Sequence, residues 1–130
     1  MSLLVHIVTP DREVWSGEAT MVGARGTEGE VGILSGHAPM LIRLSIGVIR
    51  IQHQGGTLRA VVDGGFLHVT SEGGTSRVDV LASHAELEDE IDLAQARRDA
   101  EEWERRLQER DTEEARVGLA RATTRIALRG

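Results

Sequence analysis

The pattern of hydrophobic and polar positions changes near residue 84. Before that point, short apolar runs alternate with breaks containing glycine, proline or aspartate, as in β-strands joined by turns. Beyond it, apolar residues recur every three or four positions among charged ones, which predicts helices. We therefore expect an all-β domain over residues 1–84 and a helical domain over residues 85–130.

The β half contains apolar runs that predict separate short strands. The first two are Leu3–Val8 and Glu13–Gly23, and Met40–Leu44 and Val48–His53 follow, with Gly47 at their junction. Three Gly-Gly pairs then begin nine residues apart. Strands of about six residues joined by tight turns produce this spacing. It predicts an antiparallel meander with strands over Leu58–Val62, Phe66–Thr70 and Val78–Leu81.

The helical half shows two apolar stripes. The first has steps of three and four residues and is flanked by charged positions, with Leu87 and Ile91 adding a turn at its start. Asp111 is expected to cap the second helix. A short join and small seam residues predict an antiparallel two-helix hairpin. The stripes are Leu93, Ala96, Ala100, Trp103 and Leu107, then Ala115, Leu119, Ala122 and Ile126.

The stretch Gly26–Pro39 is rich in glycine yet contains the apolar residues Val31, Ile33 and Leu34. Neither a flexible linker nor a regular helix has this composition. It predicts a turn–strand–turn whose glycines serve positive φ angles or close backbone approach. The side chains that such a shape would present are Glu28, Glu30 and His37.

Composition excludes several functional classes. The net charge of −6 argues against a general nucleic-acid binder. Without cysteine the chain has no disulfide, thiolate nucleophile or thiolate metal site, and a reducing, cytoplasmic setting is expected. No apolar run is long enough to span a bilayer, and the N-terminus lacks the basic region of a signal peptide.

No catalytic or metal-binding pattern stands out. All fifteen basic residues are arginine, so a lysine-containing phosphate loop is absent. The five histidines form no close-spaced pair of the metal-ligand type. His37 has two compatible interpretations: its ring bonds the surrounding turn, or it contacts a partner. We expect a protein that is not an enzyme by itself, with no metal and no cofactor.

Charge is polarised along the helical half. Acids lie together at its start, whereas beyond Ala115 there are four arginines and no acid. Such a distribution suits the helix dipole, and it also suits an acidic partner surface. Both explanations remain open. The arginines are Arg116, Arg121, Arg125 and Arg129.

Several motifs, in this order, resemble the epsilon subunit of bacterial rotary ATP synthases. The most specific is Gly-Glu-Val-Gly-Ile-Leu-Ser-Gly-His-Ala-Pro, beginning at Gly29. Val14-Trp15-Ser16-Gly17, Gly47-Val48-Ile49-Arg50-Ile51, Asp63-Gly64-Gly65-Phe66-Leu67 and the terminal helices agree with it. The resemblance covers nearly all of the chain.

The resemblance implies a β-sandwich of about ten strands followed by the helical hairpin. It implies a rotor-stalk subunit on the cytoplasmic face of the plasma membrane, peripheral and without a transmembrane segment. The sandwich would dock on the gamma subunit and on the c-ring. Interface residues would be Glu28, Glu30, His37 and Pro39. The hairpin would restrain ATP hydrolysis, its arginines Arg116, Arg121, Arg125 and Arg129 meeting an acidic segment of the beta subunit.

One position departs from the family. Some members bind ATP through a motif at the first helix in which Asp92 is matched but Gln95 stands where an arginine belongs. Losing that charge weakens the attraction for a polyphosphate, so we expect weak or absent ATP binding. Two alternative functions are a free-standing nucleotide or small-molecule sensor with a helical lid and a cupin-type enzyme. The cupin would need clustered histidines.

Overall fold

The computed structural model describes residues 2–130, which form two compact units divided between Leu87 and Glu88. The first contains eight β-strands; the second contains a 3-10 turn and two α-helices. The strands are β1 (Leu3–Val8), β2 (Glu13–Ala19), β3 (Met21–Gly26), β4 (Gly29–Leu34), β5 (Met40–His53), β6 (Gly56–Glu72), β7 (Thr75–Leu81) and β8 (Ala85–Leu87). The helices are α1 (Leu93–Glu109) and α2 (Glu113–Arg129), and the 3-10 turn is Glu88–Glu90.

The strands follow the order β2–β1–β7–β6–β5–β3–β4, and β8 also pairs with β6. β1 and β7 run parallel, and the other pairs are antiparallel. The long strands β5 and β6 take part in both layers. One half of β6 pairs with β7, from Phe66 to Glu72, and the other half pairs with β8, from Ala60 to Val62. This arrangement is the predicted β-sandwich.

The expectation of about ten strands is wrong, because two predicted pairs of strands each form one long strand. β5 continues through Gly47, and β6 continues through Gly64 and Gly65. The β5–β6 pairing skips Ser45 and Gly64 without a change of register, since Leu44 faces Gly65 and Ile46 faces Asp63. The meander prediction therefore fails at its middle glycine pair, although Gly55-Gly56 and Gly73-Gly74 do lie where strands reverse. Glu13–Gly23 departs in the other direction, as two strands separated at Thr20.

Gly65 explains why a strand bends there instead of ending. Its φ angle is +120°, and a Cβ atom at this position would overlap the carbonyl oxygen of Leu81 and lie 2.8 Å from the Cα of Ala82. Only glycine combines this φ angle with such a close backbone approach. β6 can therefore pass from one layer to the other without losing its pairing with β5.

Alternating side chains from both layers form one hydrophobic core. β1 contributes Leu3, Val5 and Ile7, all inaccessible to solvent. Other strands contribute Val22, Ile33, Ile49, Ile51, Ala60, Val62, Leu67, Val69, Val78 and Val80. Leu87, which the sequence places at the start of the helical stripe, faces Ala60 in the sheet, and Ala85 faces Val62. This pairing carries the first unit to Leu87, beyond the expected boundary at residue 84.

In the second unit both helices have side-chain caps. Asp92 accepts a hydrogen bond from the Gln95 backbone N–H, 3.0 Å, at the start of α1. Thr112, not the predicted Asp111, caps α2 by accepting from the Ala115 N–H at 3.1 Å. Residues 110–112 join the two helices. Ile91, predicted within the first helix, lies before it in the sequence and is buried.

Small residues dominate the buried part of the helix pair. Ala96 is the buried residue of α1, and Ala115, Gly118 and Ala122 are those of α2. Gly118 lies against the indole ring of Trp103. Near the other end, a Cβ atom on Gly130 would be 3.6 Å from Leu93 Cδ1. At Gly118 and Gly130 the backbone therefore lies close against large side chains of α1.

Candidate functional site

The turn between β3 and β4 presents the two predicted acids. Glu28 lies exposed in the turn, and Glu30 lies on β4 with 63% of its side chain accessible. The nearest cation to Glu30 is Arg50, whose Nη1 is 3.9 Å from Glu30 Oε2. Such an exposed, long ion pair contributes little to stability. Beside the turn, a recess of about 360 Å³ extends to residues 40–43 at the start of β5.

The turn after β4 presents His37 and Pro39. The Gly36 N–H donates to Ser76 Oγ on β7 at 2.8 Å, and the His37 N–H donates to the Leu34 carbonyl at 3.1 Å. The Ser76 side chain is buried, so this bond ties the turn to the sandwich. His37 Nδ1 donates to the Ala38 carbonyl at 2.7 Å, as the first of its two interpretations expects. Pro39 is exposed.

The structure confirms the turn–strand–turn prediction for Gly26–Pro39. β4 occupies the middle, and turns precede and follow it. Gly29 and Gly36 have positive φ angles of +130° and +86°, whereas Gly26 and Gly32 do not. Side chains on the two turns are thus presented by a segment whose shape depends on glycine at both ends.

Sequence reasoning missed an apolar surface on the outside of the sandwich. Leu41, Phe66 and Leu81 are 64%, 44% and 50% exposed, and we call these three residues the apolar strip. In the register Phe66 faces Leu81, and Leu41 lies on the next strand, opposite His68. All three point away from the core, because their strand neighbours point into it. The sequence does contain a signal for this surface. Phe66 and Leu81 occupy positions that alternate with polar residues on the outer face of their strands.

Paired polar groups border the apolar strip. In the register His6 faces Asp79, which faces His68. Arg77 donates to both carboxylate oxygens of Asp79, at 2.9 Å and 3.0 Å, and this pairing raises the pKa of Arg77. His6 Nδ1 is 2.9 Å from Glu13 Oε1. An apolar centre bordered by polar groups is common in protein–protein interfaces.

The predicted arginine set does not form one cluster of equivalent cations. Arg116 donates two bonds to Asp111, at 2.7 Å and 2.6 Å, lowering the pKa of Asp111 and raising that of Arg116. Asp111 lies before the segment beyond Ala115, in which the sequence contains four arginines and no acid. Arg125 Nη1 donates to the Arg121 carbonyl at 3.1 Å, and both residues are half-buried. Arg129 is exposed in the last turn of α2.

Asp92 and Gln95, at the position of the ATP motif, form hydrogen bonds at the start of α1. Asp92 serves as the helix cap. The Gln95 amide donates to Asp99 at 2.8 Å and accepts from Arg98 at 2.7 Å. Asp92 thus has a structural role as a helix cap, and Gln95 supplies no cation.

Two further features of the described residues bear on the class of protein. Among residues 2–130, no group of three or more histidine, aspartate or glutamate side chains is placed to hold a metal ion. Neither α1 nor α2 has the combination of length and apolar character that crossing a bilayer requires.

Comparison with known proteins assigns the chain to a family. Residues 2–88 match the family model for the ATP synthase delta/epsilon chain β-sandwich domain. The ATP synthase epsilon chain of Bacillus pumilus is 40% identical over 129 residues, covering 97% of this chain and 95% of the relative. The chain belongs to the ATP synthase epsilon chain family. The ATP synthase epsilon chain of Thermobifida fusca is 44% identical over 128 residues, covering 96% of this chain and 91% of the relative.

Two solved structures support the fold. A chain in the Euglena gracilis mitochondrial ATP synthase structure, titled as OSCP/F1/c-ring, has a TM-score of 0.80 at 24% identity, covering 97% of this chain and 80% of that one. A chain of the Tetrahymena thermophila central stalk/c-ring structure has a TM-score of 0.54 at 17% identity, covering 75% and 71%. Epsilon chains are regulatory or structural subunits of the synthase, not its catalytic one, as the absence of a catalytic pattern had indicated.

Proposed function

We propose that this epsilon chain is part of the rotor stalk of a bacterial proton-translocating ATP synthase. The observation that carries the proposal is the similarity to bacterial epsilon chains over almost the whole length of both chains. In this role the sandwich docks on the gamma subunit and the c-ring and ties rotation of the ring to the catalytic head. The chain is then peripheral on the cytoplasmic face of the plasma membrane, held there by its partners.

The apolar strip supports docking of the sandwich on a protein partner, for which we propose the gamma subunit. Three large apolar side chains lie on adjacent strands and are each at least 44% exposed. Exposed contiguous apolar surface of this kind marks interaction sites. Because the strip lies on paired strands, docking would require little reorganisation of the sandwich.

Replacing Phe66 by aspartate tests the docking surface. The exposed position leaves the core intact, whereas a carboxylate facing an apolar partner must be desolvated. We expect retention of Phe66→Asp on the complex of gamma with the catalytic head to fall at least about tenfold, measured by co-purification. Thr57→Asp, an exposed strand substitution on the first half of β6, is the matched control. Equal retention of the two variants would remove the strip from the interface.

The acidic turn supports a second contact, which we assign to the c-ring. Glu28 and Glu30 project from a glycine-shaped segment beside a recess, and His37 and Pro39 follow on the next turn. Exposed carboxylates mainly steer and orient a partner of opposite charge. In this assignment Glu30 faces the polar loops of the ring, and His37 lies nearer gamma.

Neutralising the two acids tests the second contact. We expect the Glu28→Gln/Glu30→Gln variant to bind gamma as before but to attach the catalytic head to c-ring membranes less firmly, with a weaker salt dependence. Sedimentation of the complex with the membranes at several salt concentrations measures the attachment. Glu18→Gln/Glu72→Gln removes the same charge elsewhere on the sandwich and serves as control. A salt dependence identical to the unmodified chain would contradict the assignment.

For the second unit we propose an antiparallel hairpin that restrains ATP hydrolysis. The three-residue join and the contacts of Trp103 with Gly118 and of Leu93 with Gly130 support the antiparallel arrangement. In the restraining state the helices extend along gamma, and the basic surface of α2 meets an acidic segment of the beta subunit. Its members are Arg116, Arg121, Arg125 and Arg129, of which Arg116 must exchange Asp111 for that segment.

The restraint is proposed to act without ATP bound to this chain. Gln95 lacks the positive charge that would favour a polyphosphate, and its amide already bonds Asp99 and Arg98. We therefore propose that ATP binding by the isolated chain is weak or absent. The conformation of the helices is then set by packing and by the partner subunits.

A further inference from the structure

Glycine is an unfavourable residue type at position 118, within a helix. It lies inside α2, five residues after the first helical residue, where glycine is less favourable than any residue except proline. A Cβ atom at this position would overlap the indole ring of Trp103 and lie 2.7 Å from its Nε1. The α2 backbone and the indole are therefore in direct contact, and no other residue fits while they remain so.

The residues that α1 and α2 bury fully are small. The buried residues are Ala96 on α1 and Ala115, Gly118 and Ala122 on α2. The larger apolar side chains are partly buried, Leu107, Leu119 and Trp103 among them. Hydrophobic stabilisation follows the apolar area removed from water, and alanine and glycine contribute little of it. Trp103, the largest side chain of the pair, therefore carries a large share of the association.

Arg106 positions the indole from its own helix. Its guanidinium carbon lies 5.0 Å from the centroid of the Trp103 ring, within the range of a cation–π interaction. Glu102 binds Arg106 in turn, with Arg106 Nε donating to Glu102 Oε1 at 3.0 Å. The ring is thus steadied on α1 by a neighbour one turn away.

We propose that the Trp103–Gly118 contact is the latch that holds the helix pair closed. When the indole sits on the Gly118 backbone, α1 and α2 are joined; when it is displaced, the remaining small-residue contacts do not keep them together. The latch is a property of the isolated chain. Its consequence for ATP hydrolysis rests on the proposed function of the helices.

Distances between the helices test the latch directly in the full chain. The chain has no cysteine, so Arg97→Cys and Ala127→Cys, both exposed, place one spin label on each helix. We expect Gly118→Ala to raise the population of long distances at least about tenfold in double electron–electron resonance, because overpacking a close contact has an effect of this size. Thr123→Ala, an exposed helix-favouring substitution on α2, should leave the distances unchanged.

Repeating the measurement in a second parent variant separates the steric overlap with Trp103 from any other effect of the alanine substitution. Trp103→Leu removes the ring that a Cβ at position 118 would meet, so adding Gly118→Ala there should not open the pair further. Opening by Gly118→Ala in both backgrounds would overturn the latch. Unchanged distances with a higher thermal midpoint for Gly118→Ala would overturn it as well, since helix propensity would then be the whole effect.

Hydrolysis by the assembled synthase distinguishes the latch from the proposed function. If opening the pair promotes the extended state, Gly118→Ala should strengthen the restraint on ATP hydrolysis several-fold. Longer distances between the helices in the isolated chain, together with unaltered hydrolysis, would support the latch and contradict the regulatory role of the helices.

Discussion

Two glycines with nearly the same backbone angle have different functions at the scale of single residues. Gly65 and Gly56 have φ angles of +120° and +122°. A Cβ atom on Gly65 would overlap the Leu81 carbonyl, whereas one on Gly56 would meet nothing within 4 Å. Gly56 therefore supplies only a turn conformation, while Gly65 also permits the backbone of β6 to approach β7. The pair separates conformational strain from steric overlap.

Substituting each glycine by alanine measures that difference. We expect Gly56→Ala to lower the free energy of unfolding by about 1–3 kcal/mol through the strained φ angle alone. Gly65→Ala adds steric overlap with backbone atoms that cannot move aside, so we expect a loss larger by about 2 kcal/mol or more. Urea denaturation of both variants gives the comparison. Equal losses would show that β6 and β7 can separate without cost.

Residue roles were predicted where they depend on near neighbours in the sequence. The glycines predict the turn that contains His37, and the His37 ring forms a hydrogen bond within that turn. The charge pattern after Ala115 does not predict the bond from Arg116 to Asp111, because Asp111 lies before α2 and the Arg116 side chain reaches back to it. The apolar strip was missed since exposure of Phe66 depends on which strands surround it.

At the scale of elements, helix boundaries follow their caps. Asp92 ends the irregular segment after β8 by accepting from the Gln95 N–H, and Thr112 does the same for α2. The predicted first helix began earlier, because Leu87 and Ile91 fit its stripe by spacing. Leu87 instead pairs with Ala60 in the sheet, a contact between residues far apart in the sequence. Spacing alone could not distinguish the two.

The role of Asp92 as a cap gives a prediction about α1. Asp92→Ala should lower stability by about 1 kcal/mol, because the Gln95 N–H loses its acceptor. Asp92→Ser should retain most of the stability, since serine also caps helices but carries no charge. Thermal unfolding followed by circular dichroism measures both. If serine destabilises as much as alanine, the charge of Asp92 and not its hydrogen bond is what matters.

At the scale of the whole molecule, the chain consists of two units with different physical character. The sandwich buries a continuous set of Val, Leu and Ile side chains. Within α1 and α2 the fully buried residues are alanine and glycine, and the larger apolar side chains are partly buried. A sandwich with a large buried core joined to a helical unit with little fully buried side-chain volume suits the proposed role, in which only the second part changes conformation.

Removing the second unit tests its regulatory role. The deletion should begin at Glu88, because Ala85–Leu87 forms β8 and belongs to the sandwich. We expect the synthase assembled with residues 1–87 to hydrolyse ATP several-fold faster while still retaining the truncated chain. Hydrolysis at the unmodified rate would contradict a restraining role.

A charge-matched pair of variants locates the restraint on α2. Arg125→Gln/Arg129→Gln should raise hydrolysis in the direction of the deletion, because it removes two of the cations proposed to meet the beta subunit. Arg97→Gln/Arg98→Gln makes the same change of charge on α1 and should have little effect. If both pairs raise hydrolysis equally, net charge and not the surface of α2 is responsible.

The sequence by itself determined the two-part organisation, most strand and helix positions, the turn–strand–turn of Gly26–Pro39 and the family. These follow from periodicity, caps and glycine conformations, which act between residues close in the chain. Only the tertiary structure decided that Gly64 and Gly65 bend one strand, that Ala85–Leu87 joins the sheet and that Phe66 and Leu81 form an exposed strip. Those features depend on contacts between distant segments, and local patterns do not specify such contacts.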